Sequence, residues 1–279
     1  MTTDATPRTR TGSPPAADRA PGMDGHRPDP YARPTLLRLT LVELRKLADT
    51  RAGYWLLITI ALASAVIVAV MLFTAPDPDQ RFENFFALAQ IPMGILLPIL
   101  GILLVTSEFS QRTLLTTFAL VPQRHRVVLA KVGAGVVAAL LSVLTSLATA
   151  ALGTVLAGLT GDGGAWSTDA SALVGAAVFQ VVNVALGIAF GLLFQNTPLA
   201  IVLSLVLPIA WSTLGAMIER LHRAAEWLDT GLTTAALVEP PNPGDLDGGQ
   251  WARLGVSVTV WVVLPLVAGL VRTVRREVS

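Results

Sequence analysis

The chain is 279 residues long, 53% hydrophobic and only 14% charged, with a mean hydropathy of +0.62. Those values exclude an ordinary soluble domain of this length and point to a membrane protein. There is no cysteine, which removes disulfides, Cys-ligated zinc and thiol nucleophiles, and the net charge of +1 conceals a strong asymmetry along the chain.

Residues 1–34 are rich in Pro, Thr, Arg, Asp and Gly and carry almost no large apolar side chain. Such a segment cannot bury enough surface to order itself, so a disordered tail is expected; without an apolar h-region it is not a signal peptide. Residues 35–50 have helical periodicity. Leu37, Leu41, Leu44 and Ala48 share one face, and Arg38, Glu43, Arg45, Lys46 and Asp49 cover much of the remainder. A basic amphipathic helix just ahead of a span reads as lying in the membrane interface.

Six apolar runs follow, at 53–73, 86–106, 132–159, 171–194, 198–218 and 254–271, none with an Asp, Glu, Lys, Arg or His. Each is long enough to cross a hydrocarbon core of about 30 Å as a helix, and the third helix is expected to begin earlier, near residue 127. With both termini inside, sixteen of the twenty basic residues fall on the inner side; Arg81, Arg220, Arg223 and Arg253 are the other four. The opposite orientation inverts that ratio, so both termini are read as cytoplasmic.

Between the second and third runs, residues 106–131 hold Glu108, Arg112, Arg124, His125, Arg126 and Lys131. A charge costs several kcal/mol at mid-bilayer, so this cluster is expected at a membrane surface, and four Lys/Arg make it the cytoplasmic one. Leu114, Leu115 and Phe118 form one face of a short helix that Pro122 stops. Such a helix can lie on lipid or press against a soluble partner.

Residues 219–253 connect the last two runs on the outer side. Met217, Leu221, Ala224 and Leu228 keep helical spacing beside Glu219, Arg220, Arg223 and Glu226, and an uncharged stretch at 230–238 precedes the turn-forming Pro240-Pro241-Asn242-Pro243-Gly244. This segment either dips into the membrane and returns or rests on the headgroups. Inside the spans the notable amides are Gln90, Gln180 and Asn183. Gln180 and Asn183 share a helical face, and all three should turn toward the bundle or a dimer seam, as interhelical bonds or as the lining of a path. Gly187 and Gly191 form a GxxxG pair, and Pro92, Pro98, Pro208 and Pro265 are expected to kink their helices.

The absences matter equally. The sequence has no GxxxxGK[ST], HExxH or GxSxG, and His26 and His125 fall on the opposite side from His222, so no metal or hydrolytic site is expected. An intramembrane enzyme is disfavoured because the apolar runs hold no ionisable group.

Glu108, then Thr113-Leu114, an apolar turn, Pro122, Arg124 or Arg126 and an apolar run into Lys131 resembles the first cytoplasmic loop of the permease subunits of type-two ABC exporters. With the six-span layout, the resemblance covers roughly residues 36–276. It implies an all-α integral membrane protein: six transmembrane helices, an N-terminal interfacial helix, a cytoplasmic coupling helix between spans 2 and 3, and short outer helices between spans 5 and 6. It further implies that Glu108, Arg112, Thr113, Leu114, Leu115, Phe118, Pro122, Arg124 and Arg126 couple to a separate ABC ATPase subunit. That subunit would carry ATP and Mg, and this chain no cofactor. A second permease chain, identical or not, and the lipid bilayer are the other partners; nucleic acid is not one. The expected setting is a bacterial plasma membrane and the expected cargo a hydrophobic or amphipathic compound. The other reading is a non-transporting membrane scaffold or immunity subunit.

Overall fold

The structure, a computed structural model, describes residues 35–110, 124–239 and 244–275. The tail at 1–34 therefore lies outside the described residues, as do Arg112, Thr113, Leu114, Leu115, Phe118 and Pro122. Helix α1 (Leu36–Asp49) is N-capped by Thr35, whose side chain accepts from the Arg38 amide. A single extended residue, Thr50, ends α1 and caps α2 (Arg51–Thr74): its N–H donates to the Lys46 carbonyl and its hydroxyl accepts from the Gly53 amide. The sequence continues through α3 (Phe82–Ser110), α4 (Arg124–Thr160), α5 (Ala170–Phe194) and α6 (Thr197–Met217). Two short helices come next, α7 (Glu219–Leu228) and α8 (Thr230–Ala235). The last crossing is composite: α9 (Gly248–Val258), a π-helical segment (Thr259–Val263) and α10 (Leu264–Arg275).

Six of these stretches are long and apolar enough to cross a membrane, and among the described residues no strand forms beyond one bridge between Arg81 and Ala165. This is the architecture of an all-α, multi-pass membrane protein. One boundary differs from the sequence reading for a local reason. The last crossing begins at Gly248, six residues before the uncharged run, because Asp247 and Gln250 form a capping box that starts the helix in polar sequence.

Helices α3, α4 and α5 form the centre. Their most apolar windows are 50–56% buried, against 17–22% for α2, α6 and the last crossing. Helices α3 and α5 approach closely because a Cβ on Gly187 would sit 1.9 Å from the Pro98 carbonyl oxygen, so only glycine fits. The π-helical segment has a cause in sequence as well. Pro265 has no N–H and its ring would crowd the carbonyl four residues back, and the widened turn, in which the Leu264 amide reaches the Thr259 carbonyl, relieves that conflict.

The bundle has two distinct ends. The starts of α2 and α4 and the ends of α3, α5 and α10 share one; Arg272 there donates to the Leu193 carbonyl and Gln195 to Thr273. The other end holds α7 and α8. Trp261, about midway along the last crossing, donates its indole N–H to the Leu228 carbonyl at 2.6 Å, so the α7–α8 corner packs beside the middle of that crossing and not at its rim.

Candidate functional site

Glu43, Lys46, Glu108 and Lys131 meet where α1, the end of α3 and the start of α4 converge. Lys131 Nζ lies 2.6 Å from Glu43 Oε2 and 3.3 Å from Glu108 Oε1; Lys46 Nζ lies 2.7 Å from Glu43 Oε1 and 2.9 Å from Glu108 Oε1. The four charges alternate around a closed ring and sum to zero. Glu43, Glu108 and Lys131 are each 4–5% exposed, while Lys46 keeps an open edge. Lys131 also donates to the Leu104 carbonyl at 3.0 Å, so its three donor hydrogens face three acceptors. Among the described residues, Glu108 Oε2 is buried without a partner.

Helix α1 turns only the edge of its apolar stripe, at Leu44, to the bundle. Leu37 is 71% and Leu41 56% exposed, whereas Glu43 and Leu47 are buried against the bundle. Lipid is as apolar as leucine, so the leucines gain nothing by facing protein. A carboxylate in that setting needs a cation, and Lys131 supplies it. Partial burial pushes the Lys46 ammonium down, but the hydrogen bonds it donates to Glu108 and Glu43, and their charges, outweigh it and hold Lys46 above the ordinary lysine value of 10.5.

The sequence-predicted residues are distributed as follows. Glu108 lies within α3, two residues before its end, with its carboxylate turned to the lysines. Arg124 opens α4 and Arg126 is partly buried there. Gln90, Gln180 and Asn183 separate into two roles. Gln180 Nε2 donates to Gln90 Oε1 at 2.6 Å, and Gln90 Nε2 donates to Ser146 at 2.9 Å, which ties α5, α3 and α4 together deep in the bundle. Asn183 instead donates to the Phe179 carbonyl and lines a cavity of about 610 Å³ that Gln90 also borders.

Three residues were missed from sequence. Glu43 and Lys46 read as the outer face of α1, although Lys46 and Lys131 being the chain's only lysines was a visible signal. Asp229 read as an acidic outer-loop residue. It is 4% exposed, caps α8 through the Gly231 and Leu232 amides, and accepts from the Ser212 hydroxyl. Its signal was local: an Asp immediately ahead of Thr-Gly-Leu is an N-cap pattern.

Both flanks of the undescribed stretch 111–123 are thus pinned to α1 by one electrostatic joint. A force applied to that stretch reaches α1, α3 and α4 together, because moving any one of them pulls charges apart in a low-dielectric setting. Compared with known proteins, the chain matches no family model and no curated sequence.

Proposed function

We propose that this chain is the membrane subunit of an ATP-driven exporter, working with a separate ATPase and a second permease chain in a bacterial plasma membrane. The observation that carries the reading is the charge ring. It joins Glu108 and Lys131, the first and last residues of the exporter-like loop, and clamps both to the amphipathic helix α1.

In this reading the loop lies on the cytoplasmic side, where ATP is found and where the basic residues concentrate. ATP binding closes the ATPase pair against the loop. The ring passes that displacement to α3 and α4, and through Thr50 to α2. Helices α3 and α5, locked at Gly187 and through Gln90–Gln180, then shift as one body, and a hydrophobic or amphipathic cargo leaves toward the α7–α8 end.

The test is cargo-stimulated ATP hydrolysis after co-reconstitution with a candidate ABC ATPase from the same organism, with complex assembly measured separately. Phe118→Ala removes an apolar anchor worth roughly 1.5–3 kcal/mol, whereas Arg112→Ala removes at most an exposed ion pair worth about 0–1 kcal/mol. Phe118→Ala should therefore weaken assembly or stimulation more than Arg112→Ala. Wild-type stimulation in Phe118→Ala would mean that the loop lies only on lipid. The absence of any ATPase that assembles with the chain would favour a scaffold.

A further inference from the structure

The cavity beside Asn183 occupies the half of the bundle opposite the charge ring. Its walls come from α3 between Asn84 and Ile95, from α5 at Phe179 and Asn183, from α8, and from the π-helical turn at Trp261 and Val262. A volume of about 610 Å³ falls in the range of sites that hold drug-sized molecules. It opens sideways past Ile91 and Ile95, which are 50% and 53% exposed, so an occupant can enter from the lipid.

The polar groups on the wall are uncharged, apart from the exposed Glu239 at one edge. Asn183 donates one amide N–H to the Phe179 carbonyl, which leaves its second N–H and its Oδ1 for an occupant. The π-helical turn that forms the opposite wall is a feature frequently found at functional sites.

We propose that this cavity binds a neutral amphiphile, with an apolar body against Ile91, Phe179, Trp261 and Val262 and a hydroxyl or amide end at Asn183. An anionic head is disfavoured, since no cation lines the cavity and Glu239 repels an anion at the edge. Occupancy of the site is independent of the export reading; its role as the seat of the cargo rests on that reading.

The test uses the full chain in phosphatidylcholine nanodiscs, without ATP or ATPase. The probes are three photoreactive diazirine compounds of equal chain length: a monoacylglycerol, a fatty acid and a phosphatidylcholine. The monoacylglycerol should label peptides spanning 84–95 and 257–262 saturably, and more strongly than the other two. Asn183→Leu should raise the half-saturating concentration about tenfold, the loss expected from one hydrogen bond in a dry site. Ala87→Phe, which fills the cavity, should abolish the labelling with the unfolding midpoint unchanged; if that variant does not fold, Asn183→Leu decides alone. Non-saturable labelling, labelling unchanged in the variants, or equal labelling by phosphatidylcholine or fatty acid overturns the proposal. Either result leaves the ATPase test above intact, and a failed ATPase test leaves this site standing.

Discussion

Lys131 shows why the ring is built from lysine. Its compact ammonium meets Glu43, Glu108 and the Leu104 carbonyl from one point, which a planar guanidinium cannot do. Burying an ion costs several kcal/mol, and a neutral closed ring offsets that only while every partner is present. Lys131→Met should therefore destabilise the protein by about 3–5 kcal/mol, the cost of leaving two buried carboxylates to share the single cation Lys46. Lys131→Arg should also destabilise it, and Glu43→Leu combined with Lys131→Met should cost less than the sum of the two singles. Chemical unfolding in detergent measures all of these; additive singles would show that the ring is not coupled. The raised Lys46 ammonium fixes the sign of the pH dependence. A cation whose folded-state value is raised contributes stability that is fully present below 10.5 and is lost as pH rises through the raised value, so the unfolding midpoint should fall on that alkaline limb, and less so in Lys46→Met.

Helix α8, only six residues long, exists because its start is capped and its neighbours hold it. Asp229 accepts from two amides and from Ser212 on α6, while Trp261 on the last crossing holds the end of α7. Asp229→Ala should cost about 1–2 kcal/mol, the worth of a good N-cap, and should shift Trp261 fluorescence as the α7–α8 corner loosens. Asp229→Asn keeps an acceptor of similar capping strength and should behave nearly as wild type. If both variants leave fluorescence and stability unchanged, the corner is held by packing alone. Periodicity alone found an amphipathic stretch here and an uncharged stretch after it. It could not show that the corner folds back beside the middle of the last crossing, because that depends on a hydrogen bond between residues 33 positions apart.

Across the whole molecule, an even number of crossings places the N-terminal helix, the end of α3, the start of α4 and the end of α10 at one end of the bundle, with Gly248 at the other. Among the described residues the basic ones concentrate at the first end, and a cysteine-free chain allows a direct test of which end faces the cytoplasm. Cysteines introduced at Ser13 and Gly248 should react with an impermeant maleimide in intact cells only at Gly248. That position has open space, with nothing within 4 Å of an added Cβ. Labelling at Ser13 would invert the topology and remove the basis for placing the charge ring beside an ATPase.

The six crossings were legible because an apolar run of about 20 residues has one stable solution in lipid, a helix with its backbone bonds satisfied internally. The Gln90–Gln180 link was legible in kind, since an amide in a span seeks a partner, but not in its pairing, which joins residues 90 positions apart. The facing of α1 was not legible. A periodic pattern divides polar from apolar, yet it does not say which side turns to protein, and in a membrane the usual inward rule for leucine lapses. That choice was made by Lys131 on another helix, 88 residues away from Glu43. Composition and run length decided that six helices are long and apolar enough to cross a membrane. Tertiary structure alone decided where its few buried charges meet, because an ion excluded from water takes its partner from whatever helix folding brings within reach.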